Sequence, residues 1–180
     1  MANPFETLGF PPSFALDANT LEQRQRELNR AVHPDRAGKS PGERRQALNR
    51  SMDINLAYRT LRDPASRAEA LFVLLGAPPT ADETLRDPQL LMEMMEQREA
   101  LEDARRSQDV RRLRSMAANM AAREQRVIAA LTETFAPLLA AEPLSRDRRE
   151  ARLSEARRWL AELRYTRRFA EEVAAFEDEA

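Results

Sequence analysis

The sequence predicts an all-α protein, with an N-terminal antiparallel helical hairpin flanked by short helices and a C-terminal three-helix bundle. Ala, Leu, Glu and Arg dominate the chain, and these residues lose little rotamer freedom in a helix. Only four glycines occur in 180 residues. With 42% hydrophobic and 33% charged residues, the composition is that of a folded helical protein rather than a disordered tail.

The first two helices are predicted before residue 33. A short helix is expected at about 3–9 and is ended by the Pro-Pro-Ser stretch at 11–13. Asp17 has the side chain of an N-cap, so a second helix should run from there to about Val32. The apolar stripe of the second helix is predicted to comprise Leu21, Leu28 and Val32.

The strongest local helix signal is the segment 40–43, Ser-Pro-Gly-Glu. It offers a capping hydroxyl, a proline at the first helical position and a carboxylate three residues after the cap. A third helix should follow to about residue 61, and Asp63-Pro64 should end it and begin a fourth helix that stops at Gly76. The predicted inward positions of the third helix are Leu48, Ile54, Ala57, Tyr58 and Leu61.

The C-terminal half should form three long helices. The stretch 76–87 reads as a linker, and Pro88 opens a helix to about residue 106. Asp109 should cap a second long helix that Pro137 and Pro143 break, and Ser145 should cap the last. Short connections between long amphipathic helices predict an antiparallel bundle. The expected divisions are 1–75, the linker 76–87 and the bundle 88–180.

Composition also excludes several classes of function. The chain has no cysteine and a single histidine, so disulfides, thiolate sites and a protein-only zinc or haem site are not expected, and we predict no metal and no cofactor. The sequence shows no cluster of carboxylates, histidine and a nucleophile of the kind that a catalytic site needs, so an enzyme is not expected. A net charge of −1 gives no general attraction to nucleic acid, although arginine-rich helices leave RNA binding as an alternative.

The N-terminus has neither a basic start nor a continuous apolar run, so no signal peptide is visible. No apolar stretch approaches the length of a membrane span. A cytoplasmic location without membrane attachment is therefore expected.

The turn between the second and third helices carries the first functional signal. It has the sequence Val32-His33-Pro34-Asp35-Arg36, and its proline makes the backbone stiff, so that His33 and Asp35 should point outward. Arg26 and Arg30 lie opposite the apolar stripe of the second helix and form with Arg36 a basic face that runs into the turn. Taken singly, the histidine could be a capping or solvated group and the arginines a solvated helix face.

From residue 3 to about 75 this pattern resembles a J-domain, the module that activates ATPase chaperones of the DnaK class. The resemblance implies that His33, Pro34 and Asp35 are the signature that engages the chaperone. It implies in addition that Arg26, Arg30 and Arg36 are docking charges. Val32 departs from the family, in which an aromatic residue is common at this position.

The helix after Pro88 has two apolar faces. Four residues should pack inward: Leu90, Met94, Leu101 and Ala104. The opposite side combines methionines with carboxylates, and its members are Met92, Met95, Glu99 and Asp103, flanked by Leu91 and Glu96. Exposed methionine suits an adaptable protein interface. From spacing alone, the alternative that both methionines belong to a wider bundle core stays open.

The segments 54–64, 67–69 and 91–103 are similar to the HscB family of co-chaperones for iron-sulfur cluster assembly. The resemblance implies a surface that binds an IscU-type scaffold protein through Leu91, Met92, Met95, Glu96, Glu99 and Asp103. It adds Tyr165, at an aromatic position of the last helix where many members have phenylalanine. The implied partners are this scaffold and a chaperone of the HscA/DnaK class. A general DnaK co-chaperone with a different client is the alternative.

Overall fold

The computed structural model describes residues 3–32, 40–78 and 88–179, and within these ranges every element is an α-helix. The all-α prediction is confirmed. The chain divides into two compact units, 1–78 and 79–180. The helices are α1 (Pro4–Leu8), α2 (Ala18–Ala31), α3 (Pro41–Arg62), α4 (Pro64–Leu74), α5 (Pro88–Arg106), α6 (Val110–Leu138) and α7 (Arg146–Glu179).

The predicted helix caps in the N-terminal unit are confirmed. The Asp17 side chain accepts from Thr20 N at 2.7 Å, and Ser40 with Glu43 forms a complete capping box at the start of α3. Asp63 ends α3 and caps α4, since its carboxylate accepts from Ser66 N at 2.8 Å. These caps are local, because each joins residues that lie three positions apart.

Helices α2 and α3 form an antiparallel hairpin joined by a row of polar side chains. Asn55 Oδ1 accepts from Gln25 Nε2 and from Asn29 Nδ2, both at 2.9 Å. Ser51 Oγ donates to Asn29 Oδ1 at 3.1 Å. We call Gln25, Asn29, Ser51 and Asn55 the polar seam. The buried core of this unit lies to one side of the seam and includes Phe5, Leu8, Phe14, Leu21, Ile54, Ala57, Leu61, Leu71 and Phe72.

One predicted core position of α3 is wrong. Leu48 is 56% exposed, because it lies on the far side of the helix from the buried residues Ile54 and Ala57. Tyr58 is only partly buried, and the guanidinium of Arg62 lies 5.9 Å from the centre of its ring.

In the C-terminal unit, side-chain pairs fix the helix directions. Gln97 of α5 bonds Tyr165 of α7, and Arg98 further along α5 pairs with Glu172 further along α7, so these two helices run in the same direction. The intervening α6 runs the opposite way, which gives an up-down-up bundle. Its core cluster near the end of α5 comprises Leu101, Ala104, Leu113, Met120, Tyr165, Phe169 and Val173.

The expected break at Pro137 is wrong. Helix α6 continues through Pro137 to Leu138, and Leu139 N still donates to Phe135 O at 3.1 Å. A proline this close to the end of a helix removes one amide donor without interrupting further turns, so its cost is smaller than in the interior. The cap predicted at Asp109 is confirmed, since its side chain accepts from Arg112 N at 2.9 Å.

Candidate partner-binding surfaces

The first candidate surface lies on α2. Arg26 and Arg30 are both exposed, and Arg26 forms an ion pair with Glu22 one turn earlier on the same helix. Surface pairs of this kind contribute little to stability, so the pair leaves the Arg26 guanidinium accessible to a partner. The other four predicted chaperone-binding residues lie outside the described residues: His33, Pro34, Asp35 and Arg36.

The second candidate surface lies on α5, whose two faces differ as the spacing predicts. Inward, Leu90, Leu101 and Ala104 are buried, and Met94 packs partly buried against the core cluster. Outward, Met92 and Met95 are each 66% exposed, and Leu91 is 36% exposed. The carboxylates around them are also exposed, namely those of Glu96, Glu99 and Asp103. We call Leu91, Met92, Met95, Glu96, Glu99 and Asp103 the methionine face.

Arg123 joins α5 to its neighbours and, with the buried residues Leu90, Leu101 and Ala104, holds the rotation of α5 about its axis. Its guanidinium donates to Glu93 of α5 at 2.9 Å and to Glu162 of α7 at 2.7 Å, so that one α6 side chain holds both neighbouring helices. Burial disfavours the charge of Arg123, but the hydrogen bonds to Glu162 and Glu93 outweigh it and raise the pKa of this group. With α5 held in this way, the methionine face points away from the bundle.

A groove of about 450 Å³ runs between α5 and α7 beside the methionine face. Leu91 and Met95 belong to both the groove and the methionine face. The groove also has three arginines in its lining, Arg98, Arg164 and Arg168. The groove thus brings three guanidinium groups next to the methionine face, together with the carboxylate of Glu172, which pairs with Arg98 at 3.2 Å.

Tyr165 lies in this groove as a mostly buried residue. It is 8% exposed, and its Oη donates to Gln97 Oε1 at 3.0 Å, with Met94 O 3.4 Å away. Its ring centre lies 5.8 Å from that of Phe169. Burial is the main cause that raises the pKa of Tyr165 to about 12. The hydroxyl that distinguishes Tyr165 from the phenylalanine common at this position thus has a hydrogen-bond partner within the bundle.

Sequence reasoning missed the packing role of Tyr165 and the arginines of the groove. A signal for the first was present, because Ala161, Tyr165, Phe169 and Val173 recur every four residues and are all buried. A pattern within a single helix could not predict that these three arginines share a groove, because Arg98 lies on α5 whereas Arg164 and Arg168 lie on α7.

Within the described ranges, no group of three or more His, Cys, Asp or Glu residues is arranged to hold a metal ion. The described helices likewise include none with the length and apolar character that crossing a membrane requires.

The chain is similar to known proteins over both of its halves. Residues 86–174 match the family described as HSCB C-terminal oligomerisation domain. A co-chaperone protein HscB homolog of Shewanella oneidensis is 44% identical over 109 residues, which are 59% of this chain and 63% of the relative. The homolog of Shewanella halifaxensis is 43% identical over the same extent. These alignments therefore span a little less than two thirds of the length of the curated relatives.

Solved structures extend the similarity to nearly the whole chain. Chaperone HscB from Vibrio cholerae matches with a TM-score of 0.82 and 31% identity, covering 98% of this chain and 99% of that one. Human co-chaperone protein HscB has a TM-score of 0.82 at 24% identity, covering 100% of this chain and 84% of that one, and supports the fold alone. The predicted J-domain followed by a C-terminal helical bundle is confirmed. The chain belongs to the HscB family of co-chaperones.

Proposed function

We propose that this protein is a non-catalytic, cytoplasmic co-chaperone that brings an IscU-type iron-sulfur scaffold to an ATPase chaperone of the HscA/DnaK class. In this proposal the methionine face binds the scaffold and the N-terminal unit binds the chaperone. The observation that carries it is the exposure of Met92 and Met95, at 66% each, on a helix whose other face is buried. Large apolar side chains grouped in this way on a surface are typical of protein-binding sites.

Burial explains how the methionine face would hold a partner. Covering a large apolar side chain contributes up to about 1.5–3 kcal/mol, from which the cost of ordering is subtracted. The carboxylates of Glu96, Glu99 and Asp103 would attract a basic partner and fix its orientation more than they add to affinity. A scaffold surface with apolar residues beside lysine or arginine is therefore the partner that this face fits.

The chaperone side of the proposal depends on the hairpin. Arg26 and Arg30 are exposed on α2, and the His33-Pro34-Asp35 signature with Arg36 follows in the chain. These cations would dock on acidic groups of the chaperone, and the signature would promote ATP hydrolysis, as the resemblance to J-domains implies. Hydrolysis would then lock the chaperone onto the scaffold and help transfer its cluster to acceptor proteins.

Joining the two binding units in one chain has an energetic advantage. Once the chaperone is bound, the scaffold is held near it at a high effective concentration, so two weak contacts act together. The co-chaperone thus needs no chemistry of its own.

The proposal is tested by measuring ATP hydrolysis by a purified HscA-type chaperone with this protein, with the scaffold, and with both. We expect stimulation by the protein alone and a larger, more than additive stimulation when the scaffold is added. No stimulation in either mixture would reject the proposal. Stimulation that is indifferent to the scaffold, together with no scaffold binding in calorimetry, would favour a co-chaperone with another client.

A further inference from the structure

The groove between α5 and α7 has a basic rim that the proposed function does not use. Its apolar lining includes Tyr165 and Phe169, which are buried and therefore lie at the bottom of the groove. The guanidinium groups of Arg98, Arg164 and Arg168 belong to exposed residues and lie at its rim. A groove with an apolar bottom and a few charged groups at its edge fits a ligand that has both an apolar and a negatively charged part.

Positive charge exceeds negative charge in this groove. Against three guanidinium groups, Glu172 supplies the one carboxylate of the lining, and it pairs with Arg98 at 3.2 Å. Arg168 forms no ion pair with any residue that the structure describes. Arg164 and Arg168 lie four residues apart on α7, so two like charges occupy one side of the helix. Like charges at this spacing destabilise a helix, and an anionic group bound beside them offsets that cost.

The order of residues around α5 places the groove relative to the methionine face. At about 100° per residue, Arg98 lies about 20° to one side of Leu91, and Met95 lies about 40° to the other side. The three carboxylates of the methionine face lie further in the direction of Met95, at about 80° to 140° from Leu91. A partner that covers Leu91 and Met95 therefore meets cations at one edge and anions at the other.

We infer that the groove is a second subsite for the scaffold of the proposed function, and that it binds an aspartate or glutamate side chain next to an apolar residue. Arg168 pairs with the carboxylate, and the apolar residue packs above Tyr165 and Phe169. The scaffold is favoured as the occupant because Leu91 and Met95 belong to both the groove and the methionine face, so that one partner covers both. Its contact surface has an apolar centre with a basic edge and an acidic edge.

The groove arginines would make the surface selective. The carboxylates of the methionine face by themselves attract any basic protein. Three guanidinium groups next to them repel a partner that is basic throughout, which discriminates against wrong partners. Opposite charges at the two edges also set the orientation of the scaffold, because turning it around would bring like charges together.

The first test changes Arg168 in the full-length protein and measures the Kd for the purified scaffold by calorimetry. Arg168→Met keeps a long apolar side chain without the charge, and Arg168→Lys keeps the charge. We expect Arg168→Met to raise the Kd at least about fivefold and Arg168→Lys to raise it less than about threefold. The control is Arg126→Met, on an exposed position of α6 outside the groove, with a change below about twofold. Wild-type affinity in Arg168→Met would overturn the inference.

Charge reversal tests the sign of the scaffold group. Arg168→Glu should bind the scaffold more weakly than Arg168→Met does, because two carboxylates then face each other. It is titrated with a panel of scaffold variants, in each of which one surface Asp or Glu is replaced by Lys. We expect one of these variants to bind Arg168→Glu more tightly than the unchanged scaffold does, as a direct pair requires. If none does, no acidic side chain of the scaffold occupies the groove.

This inference rests on the proposed function, and the outcomes keep the two apart. If the wild-type protein does not bind the scaffold, both fail. If it binds, and Met92→Ala with Glu99→Ala weakens binding while Arg168→Met does not, the inference alone fails. It fails as well if Arg168→Met loses only chaperone binding, or only self-association in sedimentation experiments, because the occupant is then the chaperone or a second copy.

Discussion

The guanidinium of Arg67 donates from Nη1 to the main-chain oxygen of Phe14 at 2.6 Å and lies 5.5 Å from the centre of the Phe14 ring. The same side chain donates from Nε to Leu61 O at 2.6 Å. Arg67 is a buried residue. Water therefore cannot replace its guanidinium as the hydrogen-bond donor to these two carbonyl oxygens. One arginine of α4 thus joins the end of α3 to the segment before α2.

We expect Arg67→Met to lower the free energy of unfolding by about 2–3 kcal/mol, because it leaves buried carbonyl oxygens without a charged donor. Urea unfolding followed by far-UV circular dichroism measures the change. Arg59→Met, on the exposed surface of α3, is the matched control and should change stability by less than about 0.5 kcal/mol. Equal midpoints for the two variants would contradict the role given to Arg67.

Tyr165→Phe should lower the stability of the C-terminal unit by about 1 kcal/mol at neutral pH, since only the hydrogen bond to Gln97 is lost. The ring still fills its place beside Phe169. Trp159 is the single tryptophan and lies in α7, so its fluorescence follows the unfolding of this unit. Tyr165→Ala should cost about 3–5 kcal/mol by leaving a cavity. If both variants were equally stable, the ring would have no packing role.

The raised pKa of Tyr165 predicts a pH dependence with a definite sign. Because the pKa is higher in the folded chain, at about 12, the stabilising contribution is complete below the pKa of the unfolded chain. It is lost as pH rises through the ordinary tyrosine range towards about 12. The stability advantage of the wild type over Tyr165→Phe should therefore shrink with increasing pH in urea titrations. A constant difference across that range would show that the phenol does not titrate as a buried group.

The double variant Met92→Ala with Glu99→Ala should weaken scaffold binding about tenfold or more, because it removes apolar area and an orienting charge. Isothermal titration calorimetry with the purified scaffold gives the Kd. Glu133→Ala, on an exposed position of α6, controls for the loss of a carboxylate elsewhere. Stimulation of the chaperone in the absence of scaffold should be unaffected. Undiminished scaffold binding by the double variant would remove the methionine face from the proposal.

His33→Gln should abolish stimulation of chaperone ATPase while scaffold binding stays at the wild-type level. Glutamine keeps hydrogen-bonding capacity but lacks the imidazole ring of histidine. Single-turnover ATP hydrolysis and calorimetry on the same preparation measure the two activities. If the variant lost both with its circular dichroism spectrum intact, the proposed division of roles between the units would be wrong.

Most helix ends could be predicted from the sequence because their signals are local. Asp17, Ser40, Asp63 and Asp109 each bond an amide within three residues, and nothing elsewhere in the chain is needed to place these caps. The two faces of α5 were also predictable, since the helical period alone separates Leu101 from Met92.

The error at Leu48 has its cause within α3. Leu48 lies about 180° around the helix from the buried residue Ala57, so the helical period already separates it from the core, and it is 56% exposed. Tyr165 was expected at the binding surface, yet Gln97 and Phe169 hold it in the bundle. Whether its exposed edge in the groove contacts a partner stays a prediction.

The bridge from Arg123 to Glu93 and Glu162 has a consequence for natural variation in this protein. A substitution at Arg123 would touch no residue of the methionine face, yet it would remove two of the contacts that hold the orientation of α5 about its long axis. If α5 rotated by the angle between consecutive residues, about 100°, Met92 would face a neighbouring helix and a different set of side chains would be exposed. Substitution of this partly buried cation would therefore weaken the proposed binding of a client although every residue of the methionine face stays the same.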